Sequence, residues 1–279
     1  MRTSLKLTGF FLMISFMVNH TCIAVASNIV IKGSTTVLPI VQAESEAFMK
    51  KYPAINISLS GGGSGEGIKA LIDKTTDIAK SSRELRPEEI SLARKKGIQP
   101  VTHPIAVDVI VPVVHPQNKV KNLTIDQLSQ IYQGKIRNWK DVGGDNLPII
   151  VVSRDSSSGT FESWGELVLH KARVTPRAQM QASSGAIVQV VSKNKHAIGY
   201  IGMGYLNKTI SALSVNGVEA TVATALSGKY PISRHLYIIT SGPPKGNTAL
   251  FIQFILSQEG QKIVEEIGFV PVKQGRKKK

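Results

Sequence analysis

The chain has 279 residues, with 34 lysines and arginines against 19 aspartates and glutamates, so its formal net charge at pH 7 is +15. Hydrophobic residues make up 42% and charged residues 19%, a composition that excludes an intrinsically disordered chain. A single cysteine excludes both a disulfide-stapled miniature domain and a zinc site built on paired thiolates.

The first 26 residues have the pattern of a secretory signal peptide. Arg2 and Lys6 form a positive start, an apolar run follows over residues 7–18, and residues 24–26 (Ala-Val-Ala) offer a small-x-small cleavage site. The apolar run is too short for a transmembrane span. We therefore expect residues 1–26 to be removed and the mature protein to be secreted across the inner membrane, into a periplasmic or other extracytoplasmic space.

After residue 26, short β-branched runs alternate with longer helical patterns, which predicts an α/β fold with mostly parallel sheets. The apolar strand 101–114 is long enough to pass between two domains. The last residues, 273–279, form a basic tail that we expect to be solvated. The predicted strands are 28–32, 55–60, 77–79, 101–114, 149–152, 197–201 and 236–240; helices are predicted at 39–51, 87–96 and 124–132, from the turn at 156–160 to about 170, and after 184, 246 and 257.

Three segments share one design, in which a strand ends in a turn rich in Gly, Ser and Thr and a helix begins at once. They are residues 33–36, 61–67 and 156–160. Unpaired N–H groups and a partial positive charge make a helix N-terminus attractive to anions, and hydroxyls add donors. One such turn alone is better explained by helix capping. Three of them, with Arg154 placed to clamp two oxygens and Asp155 placed to hold it, favour a small oxyanion site.

Several motifs, in order along the chain, resemble the periplasmic phosphate-binding proteins, which are the solute receptors of Pst-type phosphate ABC transporters. The resemblance runs from about residue 28 to residue 272. The motifs are residues 33–36 (Gly-Ser-Thr-Thr), 60–65 (Ser-Gly-Gly-Gly-Ser-Gly), 77–85, 134–144, 154–161 (Arg-Asp-Ser-Ser-Ser-Gly-Thr-Phe) and 197–200.

The resemblance implies a two-lobed periplasmic-binding-protein type II fold, with the ligand cleft between two mixed-sheet α/β lobes. Lobe 1 would comprise residues 28–107 plus 236–275, and lobe 2 residues 108–235. The implied ligand is inorganic phosphate, bound without metal or cofactor by a monomer that delivers it to the membrane permease subunits of a phosphate ABC transporter. The implied phosphate contacts are Ser34, Thr35, Thr36, Ser64, Ser81, Ser82, Arg154, Ser158, Gly159 and Thr160, with Asp155 supporting Arg154.

One position departs from the family pattern. Members with strict phosphate selectivity carry an aspartate where this chain has Ser82. A buried carboxylate accepts the proton of phosphate and repels sulfate, which has no proton to offer. We expect Ser81 and Ser82 to replace that carboxylate, with Arg83 either beside them or on the surface. Receptors for sulfate, molybdate or a phosphonate therefore remain alternatives.

Other classes of function find less support. Residues 62–66 miss the final glycine of a G-x-S-x-G nucleophile elbow, residues 61–67 lack the G-K-[ST] ending of an ATPase loop, and the six histidines are scattered, so we expect neither an enzyme nor a metal site. Aromatic residues make up only 6% and are not interleaved with basic ones, which argues against nucleic-acid binding. A secreted adhesion or matrix protein on the same fold stays open.

Overall fold

The computed structural model describes residues 27–272, so the predicted signal peptide and the basic tail lie outside the described residues. The strands are β1 (Ser27–Gly33), β2 (Ile55–Ser60), β3 (Ile78–Ser81), β4 (Val101–Val114), β5 (Asn122–Leu123), β6 (Ile150–Arg154), β7 (Gln179–Gln181), β8 (Ala197–Gly202), β9 (Ser211–Ala212), β10 (Ser214–Val215), β11 (Ser233–Thr240) and β12 (Val270–Pro271). The α-helices are α1 (Leu38–Lys51), α2 (Ser64–Ile72), α3 (Pro87–Lys95), α4 (Ile125–Tyr132), α5 (Gly159–Leu167), α6 (Ser184–Lys193), α7 (Val222–Leu226), α8 (Gly246–Ile255) and α9 (Gln258–Glu266).

The main sheet has two groups of strands that share β4. Its order is β2-β1-β3-β11-β4-β8-β6-β7, with β9 and β12 also paired to β4. The first part of β4 pairs with β11 and β12, and its second part pairs with β8 and β9. The two groups are therefore joined through one continuous strand, β4.

The prediction of mostly parallel sheets is wrong for the strands at the centre. β1 runs parallel to β2 and β3, and β6 runs parallel to β7 and β8. In contrast, β4 is antiparallel to both β11 and β8, and β11 is antiparallel to β3. The reason is the chain path, because β4 takes the chain from one group of strands to the other, and the chain has returned to the first group when it forms β11.

A cluster of buried aromatic rings fixes the end of β6. Trp164 and Tyr200 stack with their centroids 4.4 Å apart, and Tyr132 packs against the edge of Trp164 at 5.0 Å. The Tyr200 hydroxyl lies 2.9 Å from the Ser153 hydroxyl and accepts the Arg154 backbone N–H at 3.2 Å. The core of this half of the molecule thus positions Arg154, the last residue of β6.

Helix α1 buries a carboxyl group. Glu44 is fully buried, and among residues 27–272 neither of its side-chain oxygens has a hydrogen-bond partner. Burial raises the pKa of Glu44 to about 8, and the negative charge of Glu259 adds to this effect. The side chain is therefore mainly protonated at neutral pH, since a buried carboxylate without a partner is costly.

Replacing Glu44 with glutamine is expected to stabilise the protein at alkaline pH. A carboxyl group whose pKa is raised by folding costs no stability below its unfolded pKa and an increasing amount as the pH rises towards its folded pKa. The wild-type free energy of unfolding should therefore fall between about pH 5 and pH 8, and Glu44→Gln should remove roughly 3 kcal/mol of that fall. Urea unfolding at several pH values measures it. The exposed Glu46 of the same helix provides the control Glu46→Gln, and equal slopes in Glu44→Gln and the wild type would contradict the prediction.

Candidate anion-binding site

The first wall of the candidate site is built by the turns after β1 and β2. Thr35 and Thr36 are buried just before α1, and Ser64 is buried at the start of α2. The N-cap residues of these two helices are Val37 and Gly63, whose side chains carry no hydroxyl. The hydroxyls of these two turns are therefore not used as N-caps.

The third turn caps helix α5, and the N-terminus of that helix faces the site. Ser158 is the N-cap of α5, and its hydroxyl accepts the backbone N–H groups of Thr160 and Phe161. Gly159 faces the first wall so closely that an added Cβ would overlap the Ser64 hydroxyl. Only glycine fits there, so the backbone of this turn can approach the first wall directly.

The guanidinium of Arg154 is held rigidly beside this turn. Its Nε donates to the Gln181 carbonyl at 3.0 Å, and its Nη2 donates to the Ala182 carbonyl at 3.0 Å. Asp155, predicted to support it, lies 3.9 Å from Nη2 and accepts the Ser157 backbone N–H at 2.9 Å. Asp155 thus shapes the turn, while backbone carbonyls orient most of the guanidinium.

The structure brings hydroxyls of both walls together. The Oγ1 atoms of Thr36 and Thr160, 124 residues apart in sequence, lie 2.9 Å from each other. Ser82 approaches the same space, since its backbone N–H donates to the Ser64 hydroxyl at 3.0 Å and its own hydroxyl lies 3.3 Å from that oxygen. Thr36, Ser64, Ser82 and Thr160 are all buried. Most of the predicted residues therefore line one buried polar region.

Three residues that the sequence analysis placed at or near the site make other contacts in the structure. Ser34 is buried, and its backbone N–H donates to the Lys80 carbonyl at 2.9 Å. The Ser81 hydroxyl donates to the Arg83 carbonyl at 2.6 Å and so stabilises its own turn. Arg83 is not a surface residue, because its side chain is only 8% exposed and forms an ion pair with Glu89.

Three further residues, which the turn motifs did not indicate, belong to the same region. Ser184, at the start of α6, lies 3.4 Å from Arg154 Nη1 and 3.5 Å from Thr36 Oγ1. Arg234 donates through Nε and Nη2 to Asp108 Oδ2, at 3.2 and 3.0 Å. Residues 183–185 (Ser-Ser-Gly) repeat the turn design, which could have identified Ser184. The sequence feature that could have identified Asp108 and Arg234 is a charged residue within an apolar strand.

The charges of the site favour an anion. Burial lowers the pKa of Arg154, an effect that the negative charge of Asp155 partly offsets. Burial also lowers the pKa of Arg234, which the charge of Asp108 partly offsets. Guanidinium groups nevertheless stay protonated in proteins, so the region holds two buried cations, with the buried Asp108 carboxylate beside Arg234 and the partly exposed Asp155 carboxylate 3.9 Å from Arg154.

Contacts at the edge of the site close the two walls against each other. The Gly65 backbone N–H donates to the Ser157 carbonyl at 3.0 Å. Further out, Glu162 of α5 forms ion pairs with Arg83 at 2.7 Å and with Arg86 at 2.5 Å. The turn before α5 is therefore fastened to the α2 and α3 side of the molecule by a backbone hydrogen bond and a partly buried ion-pair cluster.

Comparison with known proteins identifies the family. The model of the PBP superfamily domain matches residues 22–259. The phosphate-binding protein PstS of Borreliella burgdorferi is 37% identical over 255 residues, which cover 87% of this chain and 89% of that protein. A phosphate-bound structure from Clostridium perfringens, assigned as a phosphate ABC transporter substrate-binding protein, is 39% identical with a TM-score of 0.83, covering 88% of this chain and all of that one. An ABC-type phosphate transport receptor from Vibrio cholerae is 32% identical with a TM-score of 0.71, covering 88% of this chain and 100% of the receptor. The predicted two-lobed type II fold is thereby confirmed, and the chain belongs to the PBP superfamily and, within it, to the family of the PstS phosphate-binding proteins.

Proposed function

We propose that this protein captures inorganic phosphate in the cleft between its lobes and delivers it to the membrane permease subunits of a phosphate ABC transporter. The observation that carries the proposal is the buried guanidinium of Arg154 beside hydroxyls from both walls, those of Thr36 and Thr160 only 2.9 Å apart. Preorganised charged and neutral donors in a buried region suit a tetrahedral oxyanion. The named function of the relatives and the phosphate in the Clostridium perfringens structure support it.

The proposed ligand set follows the turns of the two walls. Arg154 supplies charge, while hydroxyls and backbone N–H groups supply neutral donors. The set comprises Thr35, Thr36, Ser64, Ser82, Arg154, Ser158, Gly159 and Thr160. The predicted Ser34 and Ser81 complete it as residues of the turns that carry these donors, since the Ser34 N–H and the Ser81 hydroxyl donate to backbone carbonyls. The proposed lobes are 28–107 plus 236–275 and 108–235, and the change of β4 partners after Val109 supports a boundary near that position.

We also propose that the protein acts as a receptor and not as an enzyme, and needs no metal or cofactor. The buried carboxylate of Asp108 accepts from Arg234 through one oxygen and from the Met203 backbone N–H through the other. It is therefore poorly placed to act as a general base.

The proposed location is extracytoplasmic, with export directed by the signal peptide, and the proposed state is a monomer. None of the helices between residues 27 and 272 has both the length and the apolar character that crossing a bilayer requires. The signal peptide pattern of residues 1–26 supports export.

Calorimetric titration of the mature protein tests the proposed function. The protein is unfolded and refolded to remove bound ligand, and it is then titrated with phosphate and separately with sulfate. We expect phosphate to bind with micromolar or tighter affinity. Equal binding of sulfate would indicate a general oxyanion receptor, and binding of neither anion would contradict the proposal.

Replacing Ser82 with aspartate is expected to increase the preference for phosphate over sulfate by about 10-fold or more. The Ser82 hydroxyl lies 3.3 Å from that of Ser64, at the surface of the cleft that Gly159 faces. A carboxylate at this place accepts the phosphate proton and repels sulfate. Competition calorimetry measures the ratio of the two dissociation constants.

The matched control is Ser82→Asn, which has nearly the same size as aspartate and no charge. We expect this variant to leave the preference between the two anions close to that of the wild type. If Ser82→Asp shows the wild-type preference as well, the side chain at position 82 does not contact the bound anion.

A further inference from the structure

Arg234 and Asp108 lie where β4 passes from one group of strands to the other. They are directly opposite each other in the antiparallel register of β11 and β4. Immediately beyond them, β4 changes its partner, since Val109 pairs with β11 and Ile110 pairs with β8. Both residues are buried, with 6% of the Arg234 side chain and none of the Asp108 side chain exposed. This buried ion pair therefore stands at the junction of the two lobes.

The guanidinium of Arg234 contacts residues of both walls of the cleft. Its Nη2 donates to Thr160 Oγ1 at 3.0 Å, and its Nη1 donates to the Ser82 carbonyl at 3.3 Å. Thr160 Oγ1 in turn lies 2.9 Å from Thr36 Oγ1. An anion oxygen that contacts the Thr160 hydroxyl is therefore close to Arg234.

Asp108 fixes the orientation of this guanidinium. Its Oδ2 accepts Nε and Nη2 of Arg234, while its Oδ1 accepts the Met203 backbone N–H at 3.0 Å. Close packing restricts the carboxylate further, because a Cβ added to Gly202 would lie only 2.8 Å from Oδ2. With Nε and Nη2 facing Asp108, Nη1 is directed towards Ser82. Asp108 thus holds one edge of the planar guanidinium, and this orients the arginine before an anion binds.

We propose that Arg234 is a second cationic ligand of the bound oxyanion, with Asp108 as its positioning residue. The proposal rests on the proposed function in one respect, namely that a tetrahedral oxyanion occupies this cleft. Arg154 and Arg234 then hold the anion from different elements, β6 and β11. Because Arg234 lies beside the position at which β4 changes its partners, the contact also connects the bound anion to the junction of the lobes.

The test removes both charges of the pair together. Arg234→Gln alone would leave Asp108 buried without its partner, so the informative variant is Asp108→Asn combined with Arg234→Gln, which removes both charges and leaves a neutral amide at each position. Calorimetry with phosphate is expected to show at least about 10-fold weaker binding than the wild type. The matched control is the exposed ion pair of Lys119 and Asp145, changed to Gln and Asn, which should bind phosphate as the wild type does.

A second measurement uses the wild-type protein and does not depend on the folding of a variant. In NMR spectra of the phosphate complex, we expect a scalar coupling through the hydrogen bond between the phosphorus nucleus and an Nη–H of Arg234. A coupling to Arg154 without one to Arg234 would overturn the inference. Unchanged phosphate affinity in the folded double variant would overturn it too, while the proposed function would stand. If the wild type bound neither phosphate nor sulfate, the proposed function itself would fail.

Discussion

Replacing Arg154 with glutamine is expected to weaken phosphate binding by at least about 100-fold, or roughly 3 kcal/mol. The arginine residue is 1% exposed, and two backbone carbonyls already orient its guanidinium. Little conformational entropy is therefore lost when it binds an anion, and a buried phosphate would lose a close positive charge. Titration calorimetry of the variant and the wild type, each stripped of ligand by refolding, measures the effect.

The control for this prediction is Arg177→Gln, which changes an exposed arginine a short distance along the chain. It removes the same charge from the protein and should leave the phosphate affinity close to that of the wild type, so it separates a local effect from one of net charge. Thermal unfolding without ligand shows whether each variant is folded. A folded Arg154→Gln variant with wild-type affinity would mean that the anion binds elsewhere.

The elements that position the site were largely predictable from the sequence. A β-branched run followed by a Gly/Ser/Thr turn and a helical pattern is a local signal, because strand, turn and helix each depend on neighbouring residues. The turns at 33–36 and 61–67 could not be assigned to binding or capping by this signal. The structure argues against capping, since Val37 and Gly63 occupy the N-cap positions and neither side chain carries a hydroxyl.

Contacts that depend on distant residues were not predictable in the same way. Arg83 follows two serines of a predicted site motif, yet its guanidinium pairs with Glu89 and Glu162. Arg234 lies 74 residues from Thr160 and 152 residues from Ser82, but contacts both. The antiparallel course of β4 and β11 likewise follows from how the chain connects the two groups of strands. No local sequence pattern indicates that connection.

Replacing Gly63 with alanine is expected to prevent full closure of the cleft and to weaken phosphate binding by at least about 10-fold. Gly63 has φ −93° and ψ 166°, a conformation that alanine adopts without strain, so the isolated turn should fold normally. An added Cβ would, however, overlap the backbone carbonyl and hydroxyl of Ser157 on the opposite wall. The Ser157 backbone cannot yield easily, because its carbonyl accepts the Gly65 N–H and its N–H donates to Asp155. Calorimetry measures the affinity, and small-angle X-ray scattering measures the radius of gyration with and without phosphate.

The control is Gly165→Ala in α5, where an added Cβ would meet none of the described residues within 4 Å apart from the neighbouring backbone of its own helix. This variant should bind phosphate and contract on binding as the wild type does, with a slightly more stable helix. Gly63→Ala should have the wild-type thermal stability without ligand but a larger radius of gyration in the presence of saturating phosphate. Because the overlap exists only when the two walls touch, a loss of affinity together with a loss of contraction would identify the contact between Gly63 and Ser157 as part of closure. Wild-type contraction and affinity would instead show that the walls approach each other less closely when phosphate is bound.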